Sequence, residues 1–244
     1  MNQAQQHYDN LLAAHYQWMV GLPFAEKADE QAALLIELGL DQGPKDAALD
    51  LGCGPGYQSA ALCRIGYRRV IALDTCQALL DETMAATAGS PVTPILADLR
   101  DFPAATGHAA FDAIVCMGDT LTHLDSREDV WSLLSSAYQA LQPGGRLVLT
   151  FRDLSSELTG TDRFIPVRSD DTRIMVCALL YEPDHVVVND LVHARTETGW
   201  ELHKSSYRKL RLPPAAVVEE ARALGFTVET DRSVAWMHAI VARK

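Results

Sequence analysis

The sequence predicts an α/β domain built on a doubly wound, mostly parallel seven-stranded sheet, with an antiparallel strand insert and a helical segment at the N-terminus. Three observations carry this expectation. Short apolar runs alternate with helical-period segments between residues 47 and 152; the runs are apolar almost throughout, as strands covered on both faces are; and after Arg152 the pattern changes to longer strands punctuated by turn residues. The alternation reads as βαβ units, whose crossovers are right-handed by default.

The parallel strands are expected at Ala47–Leu51, Val70–Asp74, Val92–Ala97, Phe111–Met117 and Arg146–Arg152. Helices are expected at Glu26–Leu38, Gln58–Arg64, Cys76–Ala86 and Glu128–Leu141, where apolar residues recur at the 3.6-residue period. Beyond Arg152, Arg173–Tyr181, His185–Arg195 and Trp200–Leu212 read as three antiparallel strands joined by Glu182-Pro183-Asp184 and Glu197-Thr198-Gly199. Pro213-Pro214 opens a helix to Leu224, where a missing N–H costs nothing in the first turn, and Gly225 closes it. Two terminal strands, Thr227–Thr230 and Val234–Ala242, complete the sheet. The chain is therefore expected to form a single domain over residues 1–244, with an N-terminal lid segment over 1–25 and the antiparallel insert over 160–211.

Composition narrows the function classes. The 244 residues are 48% hydrophobic and 22% charged, with a formal net charge of −11. A chain of this size buries enough surface to fold without a disulfide or metal staple. The negative balance argues against general binding to nucleic acid or anionic membrane, both of which rely on clustered Lys and Arg. No apolar run approaches the roughly 18 residues that a membrane helix needs. The first residues carry neither a basic nor an apolar leader region, and the five cysteines form no C-x-x-C pair. Neither a structural zinc site nor another metal centre is expected, and the reduced cytoplasm is the simplest compartment. Oligomeric state is not legible.

In open parallel sheets, ligands bind outside the carboxyl ends of the strands. Here the first strand runs into Asp50-Leu51-Gly52-Cys53-Gly54-Pro55-Gly56, a glycine-rich turn that lets backbone approach a ligand at a helix N-terminus. The second ends in Asp74-Thr75, 18 residues beyond Gly56, a position suited to ribose hydroxyls. The third ends in Asp98-Leu99, the fourth in Met117-Gly118-Asp119-Thr120 and the fifth in Arg152. Singly, each has a plain structural explanation, such as a helix cap or a tight turn. Together they point to a ligand of nucleoside type. The glycine spacing departs from the dinucleotide fingerprint G-x-G-x-x-G, and the second acid, Asp98, is no part of it.

Asp50–Gly56, Asp74, Ala97-Asp98-Leu99 and Leu141-Gln142-Pro143-Gly144-Gly145, in that order, resemble the motifs of class I S-adenosylmethionine-dependent methyltransferases, whose sheet is Rossmann-like. More narrowly, Phe111–Leu124, Thr150–Asp153 and Lys209–Leu212 are similar to segments of the glycine N-methyltransferase group. The resemblance departs at Asp119, where that group carries an asparagine that contacts substrate, so glycine itself is not implied as acceptor.

The resemblance implies S-adenosylmethionine as cofactor. Gly52, Cys53, Gly54 and Gly56 would form its methionine-side turn, Asp74 and Thr75 would meet the ribose, and Asp98 and Leu99 the adenine edge. Met117 and His123 would lie beside it, and Tyr8 and Tyr16 in the aromatic-rich N-terminal segment would close over it, since a sulfonium is attracted to aromatic faces. The insert, which carries Trp200, His203, Tyr207 and Arg211, would form a wall or roof of the substrate pocket, with no role assigned to these four residues. The implied acceptor is a small molecule bearing an amine and a carboxylate, with Arg152 offering a bidentate fork and Asp119 holding an ammonium or accepting its proton. Arg152 paired with Asp119 or Asp153 is the plain structural alternative. The rival functions are a regulatory module that binds S-adenosylmethionine without turnover, or methylation of hydroxyl groups or nucleic acid.

Overall fold

A computed structural model describes residues 3–244; residues 1 and 2 of the expected lid segment lie outside the described residues. The chain begins with α1 (Gln3–His7), a single π-helical turn (Tyr8–Leu12), a 3-10 turn (Ala13–His15), α2 (Tyr16–Val20) and α3 (Phe24–Glu37). Then follow β1 (Ala48–Leu51), α4 (Tyr57–Arg64), β2 (Val70–Asp74), α5 (Gln77–Ala86), β3 (Val92–Leu96), α6 (Phe102–Ala105), β4 (Phe111–Cys116), α7 (Arg127–Ala140) and β5 (Leu141–Phe151). An antiparallel block comprises β6 (Phe164–Ser169), β7 (Arg173–Tyr181), β8 (His185–Thr196) and β9 (Gly199–Leu210). The chain closes with α8 (Pro214–Ala223), β10 (Thr227–Val234) and β11 (Met237–Arg243).

The main sheet has the order β10-β11-β5-β4-β1-β2-β3. β11 pairs antiparallel to β5 and β10, and the remaining neighbours are parallel. Strand periodicity explains the two layers of core. Leu49, Leu51, Ile114, Leu147 and Leu149 turn to one face and pack with Leu133, Leu134 and Val217 from α7 and α8. Ala48, Val70, Ala113, Val115 and Val148 turn to the other, against Leu35 of α3 and Leu62 of α4. The valine, leucine and isoleucine side chains contribute roughly 1.5–3 kcal/mol each when fully buried. α7 starts where Ser126 Oγ accepts from Asp129 N at 3.1 Å, with Glu128 and Asp129 in the first turn complementing the helix dipole. Pro94 lies in β3, an edge strand where a missing N–H is tolerated.

The second sheet, β6-β7-β8-β9, is antiparallel throughout. Its inner face carries Met175, Leu179, Val186, Val188, Val192 and Tyr207, and receives Ala4, Leu11 and Leu12 of the N-terminal segment. The π turn allows the consecutive Leu11 and Leu12 both to bury against this sheet, while Tyr8 and Tyr16 pack together with Ala13, Cys76 and Leu79. His7 Nε2 lies 2.9 Å from Asp190 Oδ2, both buried, and the His7 ring stacks on Tyr207 at 4.3 Å.

Several boundaries differ from the sequence expectation. The fifth strand begins at Leu141 rather than Arg146, because the Pro143-Gly144-Gly145 segment joins the ladder through an irregularity opposite Phe111–Ala113. β6 is an unanticipated strand: Pro166 hides its period, and it is an edge with a register shift beside that proline. The terminal strands form one hairpin that turns at Ala235-Trp236, with no glycine, asparagine or proline to mark it.

Candidate cofactor and acceptor site

A cavity of ≈ 900 Å³ opens at the carboxyl ends of β1, β2, β4 and β5, between the main sheet, the N-terminal segment and β6. Its cofactor side is built on the glycine turn. Gly52 N and Cys53 N both donate to Leu73 O, at 2.8 and 3.0 Å, which ties the turn to β2. Gly54 lines the cavity with φ +55, and a Cβ placed there meets nothing within 4 Å. Gly56 lies outside the lining. Its φ is +93, it precedes α4, and a Cβ there would come within 2.9 Å of the Thr83 side chain. The third glycine of the motif thus seats α4 against α5 and does not face the ligand space.

Asp74 ends β2 with Oδ2 accepting from Gly54 N at 2.8 Å and Oδ1 from Cys76 N at 2.9 Å. Burial pushes its carboxyl up, and these backbone donors oppose the rise. A carboxylate offers about four lone-pair sites, so two ribose hydroxyls find acceptors left over. Thr75 lines the cavity beside it. Asp98 and Leu99 line the cavity at the end of β3. Asp98 caps the following turn, Oδ1 accepting from Arg100 N at 2.9 Å, and pairs with the Arg100 guanidinium at 2.6 Å. Its carboxyl is buried enough to be pushed up, but Arg100 outweighs that and holds it below the usual range. Cys53, Met117 and His123 also line the cavity, as do Tyr8 and Tyr16 from the N-terminal segment. Burial raises both phenols above their ordinary range.

The acceptor side is a charge cluster. Asp119 Oδ1 accepts from Arg152 N at 2.9 Å, its Oδ2 meets the Arg152 guanidinium, and Lys209 Nζ lies 2.5 Å from the same oxygen. Asp119 and Lys209 side chains are 9% and 7% exposed, and Arg152 is 41% exposed. Burial alone would raise the Asp119 carboxyl; Lys209 and Arg152 reverse this and hold it far below the usual range. Of the sequence alternatives, Asp119 and Arg152 pair directly, whereas Asp153 instead accepts from Ser155. Two cations share one carboxylate, leaving one positive charge in excess. His123 is buried beside Lys209, and both effects push its pKa down to about 3. Its Nε2 has no partner among the described residues.

Trp236 was not singled out by sequence reasoning, and Lys209 entered it only as the start of the Lys209–Leu212 similarity, with no role. Lys209 carries a readable signal, because it shares the inward face of β9 with Tyr207, and a buried lysine requires an acid. Trp236 carries none; it reaches the cavity through the unmarked hairpin turn, with the Arg152 guanidinium carbon 4.3 Å from its ring centre. His203, Trp200 and Arg211 do not line the cavity, and Tyr207 stacks behind it on His7. The expected wall from the insert comes instead from Ile165, Pro166 and Val167 of β6.

The open space over Gly54, the acid at the end of β2 and the aromatic wall fit S-adenosylmethionine. Residues 48–145 match a family model described as a methyltransferase domain. It is similar over 105 residues, at 32% identity, to the cypemycin N-terminal methyltransferase of a Streptomyces species, and over 136 residues, at 28%, to the glycine/sarcosine N-methyltransferase of Parasynechococcus marenigrum. These alignments cover 43% and 55% of this chain, and 41% and 47% of the relatives, less than half of each relative's length. In fold it is similar to the CcbJ methyltransferase of Streptomyces caelestis, with a TM-score of 0.79 at 21% identity over 97% of both chains. The amino pentose methyltransferase CalS10 of Micromonospora echinaspora has a TM-score of 0.75 at 17% identity over 94% of both chains. Among the described residues no helix is long and apolar enough to cross a membrane.

Proposed function

We propose that this protein transfers a methyl group from S-adenosylmethionine to the nitrogen of a small-molecule amine that also carries an acidic group. The observation that carries the reading is one cavity with two unlike ends: a glycine turn and Asp74 at one, and an excess cation, Arg152 with Lys209 against Asp119, at the other. The matched relatives named as a glycine/sarcosine N-methyltransferase and as a cypemycin N-terminal methyltransferase support nitrogen as the acceptor atom.

When bound, S-adenosylmethionine supplies an electrophilic methyl carbon, which the acceptor nitrogen bonds as the carbon–sulfur electron pair stays with sulfur. Gly52, Cys53 and Gly54 hold the methionine end, Asp74 with Thr75 the ribose, and Asp98 with Leu99 the adenine, while Met117, His123, Tyr8 and Tyr16 keep water from the reacting end. Arg152 receives the acid of the acceptor with the N–H groups that Asp119 leaves open. Asp119 is not a base here: Lys209 and Arg152 occupy it. His123, with its depressed pKa of about 3, is too weak a base to take the proton of an ammonium. The excess positive charge instead favours the neutral amine, whose proton leaves to water before attack.

The need for a neutral amine sets the pH dependence. Below the acceptor's own amine pKa, kcat/KM should rise about tenfold per pH unit, and the break should move with the acceptor. A break near pH 6–7 common to acceptors of different pKa would mean that a protein group takes the proton. Arg152→Met should lower methylation of amino acids by about 10²-fold while cofactor affinity stays within a few-fold, as expected from about 3 kcal/mol for a lost charge-assisted pair. Activity confined to hydroxyl acceptors and unaffected by that change would contradict the reading.

A further inference from the structure

The acceptor end of the cavity has an apolar wall that a small, polar amino acid would leave bare. Trp236 is 65% exposed, Ile165 37% and Val167 38%, yet all three line the cavity, together with Met237. They come from two separate elements, the β10–β11 turn and the edge strand β6. Large side chains left this open inside a concave site are unusual unless a ligand covers them. The backbone supports the same placement. Ala235, immediately before Trp236, has φ +52, a conformation that L-residues other than glycine, asparagine and aspartate rarely adopt. Strain of this kind persists where surrounding structure holds it, often at ligand sites. Here it presents the indole against the Arg152 guanidinium, which is held between the Trp236 ring and the Asp119 carboxylate. The cation is thereby oriented at the foot of an apolar wall.

We infer that the acceptor is an amine with a bulky apolar body, of the class of aromatic or branched aliphatic amino acids. Its acidic group sits at Arg152 and its side chain lies between Trp236 and the Ile165–Val167 wall. The inference rests on the proposed methyl transfer and adds to it the body of the substrate, with Trp236 as a specificity-determining residue. A carboxylate-free apolar amine satisfies the wall but leaves the excess cation uncompensated. Glycine does the reverse.

The test compares glycine, leucine, phenylalanine and phenethylamine as acceptors, with calorimetric binding of phenylalanine as a second readout. The wild-type protein, Trp236→Ala and Ile165→Ser are each assayed. Both changed side chains are exposed, so the fold should survive either substitution. Phenylalanine or leucine should exceed both glycine and phenethylamine by at least about tenfold in kcat/KM. Trp236→Ala should erase most of that preference through KM and weaken phenylalanine binding about tenfold, with S-adenosylmethionine affinity within a few-fold of wild type. Ile165→Ser should act in the same direction and less strongly. Glycine methylated as well as phenylalanine, equal loss for both in Trp236→Ala, or binding of S-adenosylmethionine with no methylation of any apolar amino acid would overturn the inference and leave cofactor binding standing. Failure of the wild-type protein to bind S-adenosylmethionine would instead remove the methyl-transfer reading beneath it.

Discussion

Asp119 illustrates how a single residue's neighbours decide its role. Buried carboxylates resist ionisation, yet Lys209 and Arg152 on either side keep this one charged. Replacing it with asparagine would leave the nearly buried Lys209 ammonium without its counter-charge, and removing one member of a buried pair costs about 3–5 kcal/mol. Asp119→Asn should therefore lower the free energy of unfolding by that amount at neutral pH, measured by urea denaturation. The folded pKa lies below the unfolded one, so this stability is fully present above about pH 4 and is lost as pH falls below it. The variant should lack that part of the acid dependence. Equal stability of variant and wild type at pH 7 would show that the cluster is held by other contacts.

At the scale of elements, the glycine turn divides into parts that face ligand space and parts that pack helices. Gly54 and Gly56 both have positive φ, so an added Cβ strains either by about 1–2 kcal/mol. At Gly56 the Cβ also collides with Thr83, which adds overpacking of about 1–3 kcal/mol. At Gly54 it projects into open space. Gly56→Ala should lose about 2–5 kcal/mol of stability, with any affinity change following from the shifted α4. Gly54→Ala should lose about 1–2 kcal/mol but weaken S-adenosylmethionine at least about tenfold, roughly 1.4 kcal/mol. Thermal unfolding and calorimetry on both variants separate the effects; the reverse pattern would mean that the cofactor does not lie over Gly54. This division was not legible in the sequence, where three glycines at alternate positions look alike. The parallel strands were legible because burial on both faces leaves near-continuous apolar runs, as in Val70–Leu73 and Ile114–Cys116. β6 and the β10–β11 turn were not, because Pro166 and the strained Ala235 carry no local signal of the shape that tertiary contacts impose on them.

Over the whole molecule, two sheets and the N-terminal segment meet around one cavity, and each contributes a different part of the proposed chemistry. The strand ends of the main sheet position Gly54, Asp74, Asp119 and Arg152; β9 supplies Lys209, which pairs with Asp119 from behind the lining; the π turn and α2 bring Tyr8 and Tyr16. The strand-end acids and glycines were readable in the sequence because they follow regular strands. Strand alternation could place Lys209 on the face of Tyr207, but its pairing with Asp119, 90 residues away, and the position of Trp236 depended on long-range packing that periodicity does not register. All of these roles depend on the cavity binding S-adenosylmethionine, with Asp74 on its ribose. Calorimetric titration of the wild-type protein and of Asp74→Ala with S-adenosylmethionine, and of wild type with NAD, tests it most directly. Wild type should bind S-adenosylmethionine and not NAD, and Asp74→Ala should bind about 10- to 150-fold more weakly, the equivalent of about 1.5–3 kcal/mol for hydrogen bonds to a charged group. Tighter binding of NAD, binding of neither, or an Asp74→Ala affinity equal to wild type would rule out this cofactor or this placement of its ribose.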